Sequence, residues 1–104
     1  MPVDLSKLTH DDVITLIFEE LAKAENKHPG FPVDPIHAAA ILAEEAGETV
    51  QASLDYVYHA GSLDEMAHEA AQTAAMGLRF LLNLKHYRRY SDSPCTTEGN
   101  LHVG

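Results

Sequence analysis

The sequence predicts an all-α protein: an antiparallel helical bundle of about three main helices per chain, completed by homo-oligomerisation. Three observations carry this expectation. Apolar residues recur at steps of three and four in three separate stretches, the period of a helix with one buried face. Each stretch opens on helix-capping residues and is parted from the next by proline or glycine. Alanine is abundant, aromatic residues make up 7% of the chain and tryptophan is absent, a composition that suits helix.

Helix one opens at Thr9 with Asp12 three residues on, a weaker capping box with Asp in place of Glu. Its apolar positions are Val13, Ile14, Ile17, Leu21 and Ala24. It ends before His28-Pro29-Gly30-Phe31-Pro32, where two prolines and a glycine forbid continuation. Asp34-Pro35 supplies a cap followed by proline at the first helical position, which starts helix two. Helix two is expected to run to about His59. Its stripe of Ile36, Ala40, Ala43, Gly47, Val50, Leu54 and Val57 alternates steps of four and three. The small residues in the middle invite close approach of another helix, and Gly61 is expected to close the element. Ser62 and Glu65 form a capping box for helix three, whose stripe is Leu63, Met66, Ala70, Thr73, Gly77, Phe80 and Leu84. Helix three is expected to reach Tyr87–Tyr90. Ile41, Leu42, Leu78, Leu81 and Leu82 lie off the main stripes and call for burial on a second side, hence a homo-oligomer, dimer or tetramer.

At 104 residues the chain is read as one domain over 1–90. The remainder, 91–104, is polar, broken by Pro94 and Gly99, and reads as a flexible tail or an arm that docks on a partner. A formal net charge of −9 argues against nucleic acid as a partner, since a backbone binder needs a basic face. A nucleotide remains open to it if divalent metals screen the phosphates. One cysteine, Cys95, means no internal disulfide and fits a reducing, cytoplasmic setting. The N-terminus lacks the basic start and apolar run of a signal peptide. The longest apolar run, near Ala74–Leu84, is broken by Arg79 and Asn83 and is too short to span a bilayer, so no membrane partner is expected.

Function is signalled by charge. Between Lys27 and Arg79 there is no lysine or arginine but there are eight carboxylates: Asp34, Glu44, Glu45, Glu48, Asp55, Asp64, Glu65 and Glu69. Asp34 and Glu65 have capping roles. Glu45 and Glu48 lie about 60° apart on one helix face and Glu44 about 40° beyond Glu48. Glu69 and Gln72 repeat the i, i+3 spacing on helix three, which should pack antiparallel to helix two. Carboxylates gathered without a basic partner point to a hard cation, Mg²⁺ or Mn²⁺, which takes oxygen ligands and substrate phosphate. A solvated acidic helix face is the bland reading of the same string.

The segments LAEEAGETVQASLDY and HEAAQTAAMGLRFL resemble the MazG-like all-α nucleoside triphosphate pyrophosphohydrolases, whose pattern is EExxE, a variable spacer, then ExxD. The resemblance covers roughly residues 10–85. It implies an enzyme that hydrolyses a (d)NTP between the α- and β-phosphates to (d)NMP and pyrophosphate with Mg²⁺ as cofactor, commonly to clear unwanted nucleotides. Carried over residue by residue, it implies Glu45, Glu48, Glu69 and Gln72 as metal ligands, with Glu44 an added ligand or general base and Glu48 a further candidate base. Gln72 departs from the family's Asp. Its carbonyl oxygen brings no charge, which predicts a weaker hold on a second ion, with Glu65 or Asp64 available to compensate. A nucleotide- or metal-binding oligomer with little catalysis is the alternative, and a purely structural bundle a third.

Other patterns are weaker. His68-Glu69-Ala70-Ala71-Gln72 falls one residue short of the HExxH zinc motif. Glu65-Met66-Ala67-His68 matches the ExxH element of di-iron bundles. Asn26 and Lys27 at the end of helix one, and Lys85 and Arg88 after helix three, are candidates for substrate contact. A favourable charge at a helix C-terminus competes for the latter pair. Tyr56 and Phe31 are candidates to stack on a base, against core packing, and Arg79 is expected to form an ion pair.

Overall fold

The computed structural model describes residues 4–89. Three helices make up the fold: α1 (His10–Lys27), α2 (Pro35–Tyr58) and α3 (Leu63–Leu82), with a short 3₁₀ turn at Leu84–His86. The capping residues named from the sequence set the helix starts. Thr9 Oγ1 accepts from the Asp12 amide at 3.1 Å while the Asp12 carboxylate accepts from the Thr9 amide at 3.0 Å. Asp34 accepts from the Ile36 amide at 2.9 Å with Pro35 at the first helical position. Ser62 and Glu65 close the second reciprocal box, at 3.1 and 3.2 Å. The expected polar tail, 91–104, lies outside the described residues.

α3 is the central helix. It packs antiparallel to α2 on one side and touches α1 on the other, while no Cα of α1 comes within 8 Å of one in α2. The gap between α1 and α2 leaves a groove with α3 as its floor. The buried apolar residues are few and mostly small: Leu21, Ala38, Ala52, Ala71 and Ala75.

Three expectations are corrected. The α2 stripe does not face α3: Ile36 is 79% exposed, Val50 59% and Val57 66%. The face turned to α3 instead carries Ala38, Ile41, Glu45, Thr49 and Ala52, all buried or half-buried. Thr49 and Thr73 meet hydroxyl to hydroxyl at 2.9 Å across the two helices. A heptad rule that counts apolar residues cannot see this face because its middle is Glu and Thr. An added Cβ at Gly47 or Gly77 would meet nothing within 4 Å, so the close approach expected at the small residues is not made by this chain's own helices.

The turn after α2 also differs. Its left-handed residue is Ala60 (φ 65°), not Gly61. The amides of His59 and Gly61 both donate to the Asp55 carbonyl, at 2.7 and 2.9 Å. Glycine is needed at 61 for space, since a Cβ there would lie 2.9 Å from the Asp55 carbonyl carbon. Finally, α3 ends at Leu82 rather than Tyr87–Tyr90. Asn83 turns its side-chain amide back onto the Arg79 carbonyl at 2.8 Å, and the backbone tightens into the 3₁₀ turn. Tyr87 then donates to the Phe80 carbonyl at 3.0 Å, and the Arg88 amide donates to the Val33 carbonyl at 2.9 Å, tying the end of the chain to the α1–α2 loop.

Candidate functional site

The α2–α3 packing brings three carboxylates together. Glu45, Glu48 and Glu69 each place one carboxylate oxygen within 4.8 Å of the other two. Glu45 and Glu69 are half-buried and Glu48 is exposed. This follows from register: Glu45 lies on the face of α2 that α3 covers, one turn before Thr49, and Glu69 lies one turn before Thr73. Because the helices run antiparallel, the two glutamates lie one turn to either side of that contact, roughly 12 Å apart along the axis, and their long side chains bring the oxygens to within 4.8 Å.

Oε1 of Glu45 and Oε1 of Glu69 are both buried without a hydrogen-bond partner. Buried carboxylate oxygens are costly to leave unpaired. The protein responds by making these groups harder to ionise. The Glu45 pKa is raised by burial first, then by the charges of Glu48, Glu69 and Glu44, with His68 opposing. The Glu69 pKa is raised by burial, by the charge of Glu48 and by a carboxyl–carboxyl hydrogen bond to it, again with His68 opposing. Three hard oxygen donors so arranged suit a divalent cation, which would satisfy the two orphaned oxygens and relieve the repulsion.

Beside the trio opens a cavity of about 580 Å³. Its walls come from α1 (Glu20, Lys23, Lys27), α3 (Gln72, Met76, Arg79) and the α1–α2 loop (Phe31, Pro32), and α2 adds Ile41 and Glu45. Glu20 was not singled out in the sequence, where it reads as one more surface glutamate of helix one. In the fold its side chain is only 11% exposed, and it takes Lys23 at 3.2 Å and His68 at 3.7 Å. Gln72 donates to its other oxygen at 3.5 Å.

Arg79 closes the far end. It is 5% exposed, and among the described residues no carboxylate pairs with it, contrary to the ion pair expected. Its guanidinium donates to the carbonyls of Ala24 (3.3 Å), His28 and Gly30 (3.3 Å), and stands 4.9 Å over the Phe31 ring. It thus caps the C-terminus of α1 and pins the loop that roofs the cavity.

The sequence-named residues divide accordingly. Glu45, Glu48 and Glu69 converge. Glu44 is exposed on α2, outside the trio but near enough for its charge to act on Glu45. Gln72 borders the trio, with its amide turned to Glu20. Lys27 lines the cavity, whereas Asn26, Lys85 and Arg88 are exposed outside its lining. Lys85 follows Glu69 by sixteen residues, roughly 24 Å along a helical path at 1.5 Å per residue. Tyr56 is 45% exposed on α2, away from the cavity. Compared with known proteins, the chain matches no family model, no curated protein and no solved structure.

Proposed function

We propose that this protein is a Mg²⁺-dependent nucleoside triphosphate pyrophosphohydrolase of MazG-like type, releasing a nucleoside monophosphate and pyrophosphate. The observation that carries the reading is the pair of buried, unpartnered oxygens on Glu45 and Glu69, in a trio with Glu48 that adjoins, through Glu45, a nucleotide-sized cavity. Pockets of about 300–1,000 Å³ are usual for small-molecule ligands. Glu45, Glu48 and Glu69 would hold the ion, with Mn²⁺ a substitute. Bound there, a divalent ion neutralises phosphate charge and makes a coordinated water more acidic. Glu48 or Glu44, both exposed at the rim, takes the proton from the attacking water.

The exposed α2 stripe supports homo-oligomerisation: a second copy would cover Ile36, Val50 and Val57, which the single chain leaves to water. The single cysteine supports a cytoplasmic setting. No helix among the described residues is long and apolar enough to cross a membrane.

One observation favours the alternative of a nucleotide- or metal-binding oligomer with slow turnover. Gln72 engages Glu20 and brings no fourth charge to the trio. Pyrophosphate release from a nucleotide panel with Mg²⁺ or Mn²⁺ decides between them. Turnover abolished by Glu48→Gln in a folded protein supports the enzyme. Metal-dependent nucleotide binding without turnover supports the alternative. Indifference of folding and binding to metal sinks both.

A further inference from the structure

The cavity has an order along α3. His68 and Gln72 stand at the end where Glu45 of the trio enters the lining, Ala75 and Met76 come next, and Arg79 closes the far side. At 1.5 Å per residue Gln72, the Ala75–Met76 pair and Arg79 lie roughly 4.5, 9–10.5 and 15 Å beyond Glu69 along the helix axis. If the trio holds the metal and phosphates, the part of a nucleotide at the level of Gln72 is the sugar. The base then lies at Ala75 and Met76. There the lining is apolar and flat: Ala75 is fully buried, Ile41 and Met76 are half-buried, and Phe31 and Pro32 form the roof.

We propose that Glu20 and Gln72 bind the vicinal hydroxyls of a ribose, so that the site selects ribonucleotides over 2′-deoxyribonucleotides. The inference rests on reading the trio as the phosphate end. A carboxylate is an acceptor-only group with about four lone-pair directions, and a cis-diol presents two donors side by side, so one Glu satisfies both. The same pairing of an acidic side chain with a ribose 2′-OH serves dinucleotide-binding folds. Glu20 is held for this role. Lys23 and His68 fix one oxygen, and the other has only the long 3.5 Å contact from Gln72, which leaves it lone-pair directions to accept from a hydroxyl. Lys23 also offsets the charge of Glu20, which unpaired would repel the neighbouring phosphates. Neither the metal trio nor the apolar end needs a carboxylate at this level, so its near-burial on α1 is left to the sugar.

The test measures two things on the full chain. Titration calorimetry compares the four ribonucleoside 5′-monophosphates with their 2′-deoxy counterparts, with and without Mg²⁺. Pyrophosphate release compares the matching triphosphates. For the preferred base, the ribo form should bind at least roughly tenfold tighter, because a site built to bond a hydroxyl rejects the analogue lacking it. Glu20→Ala should bring that ratio close to one, and Glu20→Gln should retain part of it. Gln72→Ala should lower it as well and serves if Glu20→Ala does not fold. Equal or tighter deoxynucleotide binding, or a ratio unmoved in the folded variants, overturns the inference. Turnover without sugar discrimination refutes it while leaving the pyrophosphohydrolase intact. Sugar-selective binding without turnover does the reverse, and neither binding nor turnover overturns both.

Discussion

Replacing Glu45 by Gln should make the metal-free protein more stable at neutral pH. Glu45, Glu48 and Glu69 hold oxygens within 4.8 Å of one another. Two full charges at that separation repel by roughly 3.5 kcal/mol at an effective dielectric of about 20, and by about 0.9 kcal/mol in bulk water. Glu45 and Glu69 are half-buried while Glu48 is exposed and screened, so removing one charge should return roughly 1–2 kcal/mol. For a domain this small that corresponds to a rise in Tm of about 5–15 °C. The pH dependence has a definite sign. Both Glu45 and Glu69 have pKa values raised in the fold, by burial first and by like charge second. Groups raised this way contribute stability that is intact below the ordinary carboxylate range and is lost as pH rises through the raised values. The advantage of Glu45→Gln should therefore be largest at pH 8 and fade toward pH 4. A divalent ion should reverse the order, because it stabilises the native protein that binds it, by about 2.7 kcal/mol at a hundred times its Kd. Thermal melts at pH 4, 6 and 8, in EDTA and in Mg²⁺ or Mn²⁺, read all of this. A Glu45→Gln protein that melts below the parent at pH 8 in EDTA would refute the reasoning.

Three other outcomes test the frame around the site. Arg79→Met leaves the carbonyls of Ala24, His28 and Gly30 without their donor and frees the Phe31 loop, and should cost roughly 3 kcal/mol, seen as a drop in Tm of more than about 10 °C. Ala60→Gly relieves a left-handed alanine and should stabilise by about 0.5 kcal/mol, the relief being partly offset by the entropy of glycine in the unfolded chain; denaturant melts resolve it. Val50→Lys, on the exposed stripe of α2, should turn a dimer or tetramer into a monomer in light scattering without unfolding it, and a parent protein already monomeric at high concentration would contradict the assembly.

The helix starts were legible because capping is local chemistry. Thr9, Asp34 and Ser62 each act on an amide two or three residues away, and nothing distant competes. The convergence of the three carboxylates was legible for a related reason: i, i+3 spacing puts Glu45 and Glu48 on one face, and the short α2–α3 turn brings Glu69 to meet them. What escaped was the choice of face. Apolar periodicity selected Ile36, Val50 and Val57 as the inner stripe of α2, yet the chain turns Glu45 and Thr49 toward α3. A helix with an apolar stripe on one side and Glu45 and Thr49 on another does not reveal from its hydrophobic pattern which side its neighbour covers. Glu20, and the true partners of Arg79, escaped because the contacts that place them lie about fifty residues away along the chain: Gln72 and His68 for Glu20, and the α1–α2 loop carbonyls for Arg79.

Gln72 ties these strands together. It occupies the position where the family pattern carries Asp, and it is also where α1 enters the site through Glu20. An Asp there would add a charge to the trio but would also face the Glu20 carboxylate in a half-buried setting, where like charges repel. The amide at 72 and the carboxylate at 20 are then one choice, and substitutions at the two positions should not add. Gln72→Asp alone should destabilise the metal-free protein by about 1 kcal/mol, and the same change with Glu20→Gln should restore much of that loss. Denaturant melts of the parent, both singles and the double, run in EDTA, give the coupling directly. A double variant whose loss equals the sum of the two singles would mean that Gln72 and Glu20 are independent. The replacement at 72 would then have to be explained from the metal side alone.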